Sequence, residues 1–232
     1  MKYVLPPAPQ AAVPVAGSDS AFAVRRIYCV GRNYAAHALE MGGDPTREPP
    51  FFFCKPADAI VVAPPGQTVS VAYPPLTSDY QHEIELVVAI GRGGRDISVD
   101  QALAHVFGYA VGLDMTRRDL QGQMKKAGRP WEVGKAFDQG APIGQLHSAE
   151  RIGHPARGAI WVEVDGQPRQ RGDLADLVWS VPEVLANLST LFELQPGDLI
   201  FTGTPEGVAK VERGQTMRGG IDALGEISVK VV

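Results

Sequence analysis

Three carboxylates carry the first chemistry legible in this chain. Glu83 and Glu85 sit two residues apart in the stretch from Tyr80 to Gly91. In an extended strand that spacing puts both side chains on one face, with Cα atoms about 6.6 Å apart. The apolar run Leu86 to Ile90 that follows reads as a buried strand. Two like charges there repel, and burying either one unpaired is costly. A divalent cation between them removes both penalties, and an all-oxygen donor set favours Mg²⁺, Mn²⁺ or Ca²⁺ over zinc. Taken alone, such a pair of glutamates is more often solvent-facing. A third acid, Asp114, shifts the balance because it closes a second apolar run, Val106 to Leu113. His82 and Glu83 do not begin a zinc-peptidase motif, since no second histidine follows at the required spacing.

The elements that must position these acids are short and mostly extended. Ile27 to Gly31, Phe51 to Cys54 and Ile60 to Val62 read as strands. Asn33 is placed to cap a helix from Tyr34 to Met41, on which His37 and Glu40 are three residues apart and share a face. Ser98 with Gln101 looks like a capping box for a helix to about His105, and Thr116 with Asp119 repeats it for a helix ending at Gly128. Ala159 to Val164, the turn at Asp165 and Gly166, and Gln167 to Arg171 predict a hairpin. Ser180 with Glu183 starts a helix to about Leu191. The loop Thr202 to Gly207 carries two glycines and suits close backbone approach to a ligand. Leu199 to Phe201 and Glu226 to Val232 complete the strands. Many short strands with a few helices predict a β-dominated α+β fold.

The chain has 232 residues and a formal charge of −4, with no block of like charge. Neither nucleic acid nor a membrane surface is an expected partner. The opening residues lack a charged segment followed by a long apolar core, so no secretory leader is expected, and a soluble cytoplasmic protein is. The two cysteines, Cys29 and Cys54, make no disulfide framework and read as small buried hydrophobes. His105, His147 and His154 read as structural or surface residues. The glycines from Gly91 to Gly94 form a turn, not a nucleotide fingerprint.

Together the segments Tyr28–Tyr34, Phe53–Pro56, His82–Leu86, Gly112–Thr116, Arg118–Gln121, Trp131–Phe137 and Thr202–Val208 resemble the fumarylacetoacetate hydrolase family. They occur in the family's order and span residues 24–232, leaving residues 1–23 as a Pro- and Ala-rich N-terminal arm. Within the family, the compact length resembles the acylpyruvase branch. The arm and the segment Arg47–Pro56 are similar to bacterial fumarylpyruvate hydrolases of gentisate-type aromatic degradation. The resemblance implies a mixed β-roll with a few short helices, usually a homodimer. It implies a Mg²⁺ or Mn²⁺ ion held by Glu83, Glu85 and Asp114. It also implies a His37–Glu40 dyad, with polar partners at Lys135, Gln121 and Thr204.

With a small-molecule 2,4-dioxo acid as substrate, these residues suit hydrolysis of a carbon–carbon bond. His37, oriented by Glu40, takes a proton from water. Lys135 and Gln121 stabilise the oxyanion that follows. Arg32, Arg118 and Lys55 are candidates to hold a far carboxylate, and Gly42 to Glu48 are candidates for a closing lid. Each reading has a rival. His37 and Glu40 share a face as ordinary surface pairs do. Lys135 and Gln121 suit a solvated surface, and Thr204 suits a turn. The same metal site would also serve an acylpyruvase, an oxaloacetate decarboxylase or a hydroxydienoate isomerase. A non-enzymatic ligand-binding or scaffold protein that keeps the fold is the alternative from another class.

Overall fold

The computed structural model describes residues 2–40 and 48–232. Its organising strand, Ile84–Ile90, is buried along its whole length. Ile84, Leu86, Val88 and Ile90 enter one apolar core, while Val87 and Ala89 enter a second. This is the period-2 signature of a strand covered on both faces. The strand lies inside an eight-stranded sheet. From one edge the order is Phe51–Lys55, Ile27–Gly31, Leu199–Phe201, Ile84–Ile90, Val106–Leu113, Ala141–Ile143 and Ile60–Val62, with His147–Ser148 pairing off Val106–Leu113.

Register places the acids. Ile84–Ile90 and Val106–Leu113 run antiparallel with Ile84 opposite Leu113 and Glu85 opposite Gly112. The Asp114 N–H carries the pairing one step further, donating to the Glu83 carbonyl at 2.8 Å. Residues directly opposite in an antiparallel pair share a face. Glu83, Glu85 and Asp114 therefore emerge on the face that carries Val87 and Ala89.

The opposite face packs against a five-stranded sheet ordered Gln167–Asp173, Ala159–Val164, Thr216–Ile221, Gly225–Val231 and Thr68–Val71. Ile160, Val162, Met217, Ile227 and Val229 from this sheet join Ile84, Leu86 and Val88 in one core. Its hairpin turns on Asp165 (φ 49°) and Gly166 (φ 75°), the two positive-φ residues a tight two-residue loop requires. The helix Val181–Leu191 begins where Glu183 accepts the Ser180 backbone N–H at 3.0 Å and its hydroxyl at 2.7 Å. Near the N-terminus, Ala12–Pro14 pairs with Ala21–Ala23, and Val13 is fully buried in the second core.

Four local expectations differ from the structure. Asn33 does not cap the helix Ala35–Glu40; its side-chain amide instead bonds Trp179 O, Thr202 O and Trp179 N at 2.7–2.9 Å. Ser98 and Thr116 make no side-chain caps. Ser98 meets Gln101 only through backbone, and the Thr116 hydroxyl turns back to Asp114 O at 3.1 Å. A short polar side chain takes whichever backbone partner the tertiary fold brings nearer. Cys54 is exposed because it lies on the edge strand Phe51–Lys55, whereas Cys29, on the neighbouring interior strand Ile27–Gly31, is buried. Among the described residues no helix is long and apolar enough to cross a membrane.

Leu86 is fully buried where the two sheets meet. Leu86→Ala is expected to lower stability by about 2–5 kcal/mol, the usual range for such a cavity. Chemical denaturation followed by tryptophan fluorescence measures this, and a loss below about 1 kcal/mol would contradict the packing described.

Candidate active site and metal centre

The register described above brings one ligand oxygen from each of Glu83, Glu85 and Asp114 within 4.8 Å of one another. All three side chains are buried. Three negative charges in so small a volume demand compensation. Lys135 supplies part of it: its Nζ donates to Glu83 Oε2 and Asp114 Oδ2, both at 2.7 Å. Arg118 pairs with Glu83 Oε1. Lys55 Nζ lies 2.8 Å from Asp114 Oδ1, an ion pair too bent for a directed hydrogen bond, and donates instead to the carbonyls of Met115 and Lys135.

Glu85 is the acid these cations serve least. It receives the Gly203 N–H at 2.7 Å, but none of the three cations pairs with it directly. Burial pushes its carboxyl well above the usual range, and Asp114 and Glu83 push it further. Burial acts on Glu83 in the same direction, but Lys135 and Arg118 beside it outweigh that and hold it below the usual carboxylate range. Burial also works against the charge on Lys135, yet Asp114 and Glu83 keep its pKa raised. Three converging carboxylates, one lacking a direct cationic partner, form a donor set that fits a hard divalent cation.

A cavity of about 290 Å³ opens over this cluster. Glu83, Glu85, Lys135, Gln121, Thr204, His37, Glu40, Arg32 and Arg118 all line it. His37 Nδ1 lies 3.2 Å from Glu40 Oε2, and Glu40 is held in turn by the Gly207 N–H at 3.2 Å. Because a carboxylate only accepts, Nδ1–H is the donor, and it is the neutral form of this tautomer that offers a lone pair on Nε2. Gln121 Oε1 accepts from Arg118 Nη1 at 2.6 Å, which leaves the amide NH₂ as the free end. Gly134 makes that placement possible. Its backbone approaches so closely that an added Cβ would lie 2.7–2.8 Å from Gln121.

The cations expected to bind substrate take different places. Lys55 is 2% exposed and does not line the cavity; it is committed beneath the acids. Arg118 lines the cavity but is engaged by Glu83, Gln81 and Gln121. Arg32 lines the cavity with its guanidinium 5.7 Å from the Phe51 ring and, among the described residues, without a carboxylate partner. The Thr204 hydroxyl donates to Ile84 O at 2.7 Å and accepts from Gln170 at 2.8 Å, so it is occupied by the scaffold. Residues 42–47 of the expected lid lie outside those described; the Glu48 carbonyl accepts the Trp179 indole N–H at 3.0 Å. Gln170 was not legible as a site residue, and Gly203 and Gly207 were legible only as glycines of a close-approach loop, without their partners. The two glycines act through backbone N–H groups that only the loop's folded position aims at Glu85 and Glu40.

Because the raised Glu85 carboxyl keeps a proton that the unfolded chain has already lost, metal-free stability is expected to fall as pH rises above the usual carboxylate range. A divalent cation must displace that proton, so its stabilising effect is expected to grow with pH over the same window. Thermal melts with and without Mg²⁺ across pH 4 to 8 test both signs, and at 100 times Kd the effect is about 2.7 kcal/mol. No shift at any pH would remove the metal reading; a shift that persists undiminished in Glu85→Ala would remove Glu85 from the ligand set.

A family model described as fumarylacetoacetate (FAA) hydrolase C-terminal matches residues 26–232. A fumarylpyruvate hydrolase from Pseudomonas aeruginosa, solved in complex with Mn²⁺ and pyruvate, is 61% identical, with a TM-score of 0.98 over 100% of this chain and 99% of that one. A fumarylpyruvate hydrolase from Ralstonia sp is 45% identical over 81% of this chain and 95% of its own length. A mitochondrial oxaloacetate tautomerase from Arabidopsis thaliana is 39% identical over 89% of this chain and 90% of its own. With the strand-rich fold and the buried triad already in place, these similarities establish that the chain belongs to the fumarylacetoacetate hydrolase family.

Proposed function

We propose that this chain is a metal-dependent hydrolase that cleaves the C3–C4 bond of a 2,4-dioxo acid, with fumarylpyruvate as the substrate and fumarate and pyruvate as products. The observation that carries the proposal is a His–Glu pair lining the same cavity as Glu83 and Glu85, two members of a buried acid triad completed by Asp114. The Pseudomonas and Ralstonia fumarylpyruvate hydrolases, the former solved with Mn²⁺ and pyruvate, support the same reading. Glu83, Glu85 and Asp114 would hold Mg²⁺ or Mn²⁺, which supplies Lewis-acid stabilisation at the pyruvyl end of the substrate.

The chain's own groups account for the rest. His37 Nε2, with Nδ1–H held by Glu40, takes a proton from water. The hydroxide attacks the C4 carbonyl. The oxyanion that develops needs preorganised donors. The free NH₂ of Gln121 and the third N–H of Lys135, two of whose protons are already used by Glu83 and Asp114, fill that role. The C3–C4 bond then breaks, its electron pair stays on C3 as pyruvate enolate, and a proton on C3 completes pyruvate. The far carboxylate of the fumaryl group is assigned to Arg32, the cavity arginine with no carboxylate partner among the described residues. A guanidinium can grip it with two parallel bonds. The homodimer implied by the resemblance and the cytoplasmic location expected from the composition belong to this proposal.

A decarboxylase or tautomerase of oxaloacetate is the second reading, the tautomerase favoured by the Arabidopsis relative and the decarboxylase by one from Dictyostelium discoideum. Neither reaction needs an activated water. His37→Ala is therefore expected to lower kcat on fumarylpyruvate by about 10²- to 10⁴-fold. Any oxaloacetate decarboxylation, which needs no base to take a proton, would fall far less. Equal losses on both substrates would reverse the assignment. Turnover is followed as loss of the conjugated enol absorbance with pyruvate and fumarate quantified, and it should vanish with EDTA. Arg32→Ala is expected to raise KM for fumarylpyruvate about tenfold or more, but not for acetylpyruvate, which lacks the far carboxylate. An equal rise for both would release Arg32 from that role.

A further inference from the structure

Gln170 lies on Gln167–Asp173 in the five-stranded sheet, is 1% exposed and does not line the cavity. Nevertheless it makes four hydrogen bonds that meet at the back of the site. Its NH₂ donates to Pro205 O at 2.7 Å and Thr204 Oγ1 at 2.8 Å. Its carbonyl accepts the Ile84 N–H at 3.2 Å and lies 2.8 Å from His82 Nδ1. Two of these partners are backbone groups that cannot exchange roles: Ile84 N–H only donates and Pro205 O only accepts. They fix the orientation of the amide, and the amide fixes His82 as the Nδ1–H tautomer.

The positions of those partners matter more than their number. Ile84 stands between the ligand candidates Glu83 and Glu85. Thr204 and Pro205 stand between Gly203, whose N–H meets Glu85, and Gly207, whose N–H meets Glu40. The Gly203 end of this loop has anchors of its own. Thr202 bonds Leu86 O through both N–H and hydroxyl, and Asn33 donates to Thr202 O. The Gly207 end lies against Gln170's own strand. Gly207 has φ 89°, and a Cβ there would stand 2.1 Å from the carbonyl oxygen of Arg169.

We propose that Gln170 is a positioning residue: from the second sheet it sets the loop through Gly207, and so holds the His37–Glu40 pair at its working distance from the acid triad. This rests on the functional reading above, in which that pair activates water. An interaction that aligns a base only for the chemical step lowers kcat when lost and leaves substrate binding nearly intact. Misplacement by about 1 Å can cost 10²-fold.

The test is a double-mutant cycle measured on fumarylpyruvate with Mg²⁺. It compares the natural chain, Gln170→Glu, Glu40→Gln and the pair combined. Gln170→Glu keeps the acceptor for Ile84 and His82 and removes the donors to Thr204 and Pro205. The expected result is a kcat about 10- to 100-fold lower with KM within about threefold. The Mg²⁺-induced rise in melting temperature should be retained. In the Glu40→Gln background the same change should cost less than about twofold. Equal fold losses in both backgrounds, or an unchanged kcat in Gln170→Glu, overturn the proposal. Gln170→Met, which keeps the volume and removes every hydrogen bond, is run through the same cycle. Thr204→Val against Thr204→Ser reads the same link if a buried substitution at 170 fails to fold. An inactive natural chain, or a fully active Glu40→Gln, instead brings down the functional reading, and this proposal with it.

Discussion

Burying three carboxylates side by side is the constraint on which the rest of the molecule depends. Glu83, Glu85 and Asp114 emerge on one sheet face because Glu85 stands opposite Gly112 and the pairing extends from Glu83 to Asp114. Slipping the two strands by one residue would turn Asp114 to the other face and destroy the cluster. The continuous apolar strand resists such a slip, since Val87 and Ala89 would exchange cores with Leu86 and Val88. Packing of the sheet interior and geometry of the site are therefore set by the same register.

Charge compensation explains where the cations lie. Lys135, Lys55 and Arg118 come from three separate segments, and each meets Glu83 or Asp114. Removing one partner of such a buried set leaves an unpaired charge, so these contacts are hard to change singly. The cost of this arrangement is that Lys55 and Arg118 are committed to the acids. Arg32 stays unpaired among the described residues, in a left-handed backbone conformation (φ 55°) uncommon outside glycine. That conformation directs attention to the cavity wall that Arg32 shares with Phe53 and Trp131.

The loop from Thr202 to Gly207 joins the two halves of the site. Its ends serve different groups: Gly203 the acid Glu85, Gly207 the His37 partner Glu40. Between them Thr204 and Pro205 are tied to Gln170, which belongs to the other sheet. His82 completes this buried polar cluster, and burial pushes its pKa below the ordinary value despite the Gln170 contact. Its Nε2 has no partner among the described residues. A neutral ring avoids placing a second, unpaired N–H there. The second sheet thus supplies more than a hydrophobic cover.

Much of this was legible in the residue order because it depends on local pattern. The strand Ile84–Ile90 follows from an unbroken apolar run, the hairpin from Asp165 and Gly166, and the helix Val181–Leu191 from Ser180 and Glu183. The shared face of Glu83 and Glu85 follows from a period of two, and that of His37 and Glu40 from helical spacing. The family resemblance extended these local readings to residues 24–232. Where local signals failed, a competing backbone partner had intervened, far along the chain for Asn33 and two residues back for Thr116. Asn33 was drawn from the helix start to Trp179 and Thr202, and Thr116 turned back to Asp114. The sequence by itself determined which residues have the right chemistry and which pairs share a face. Only the tertiary structure decided which cations neutralise the acids, which arginine stays available, and that Gln170, 88 residues from His82, stands behind the site. Hydrogen bonds and ion pairs act within a few ångströms of space, and separation along the chain carries no record of them.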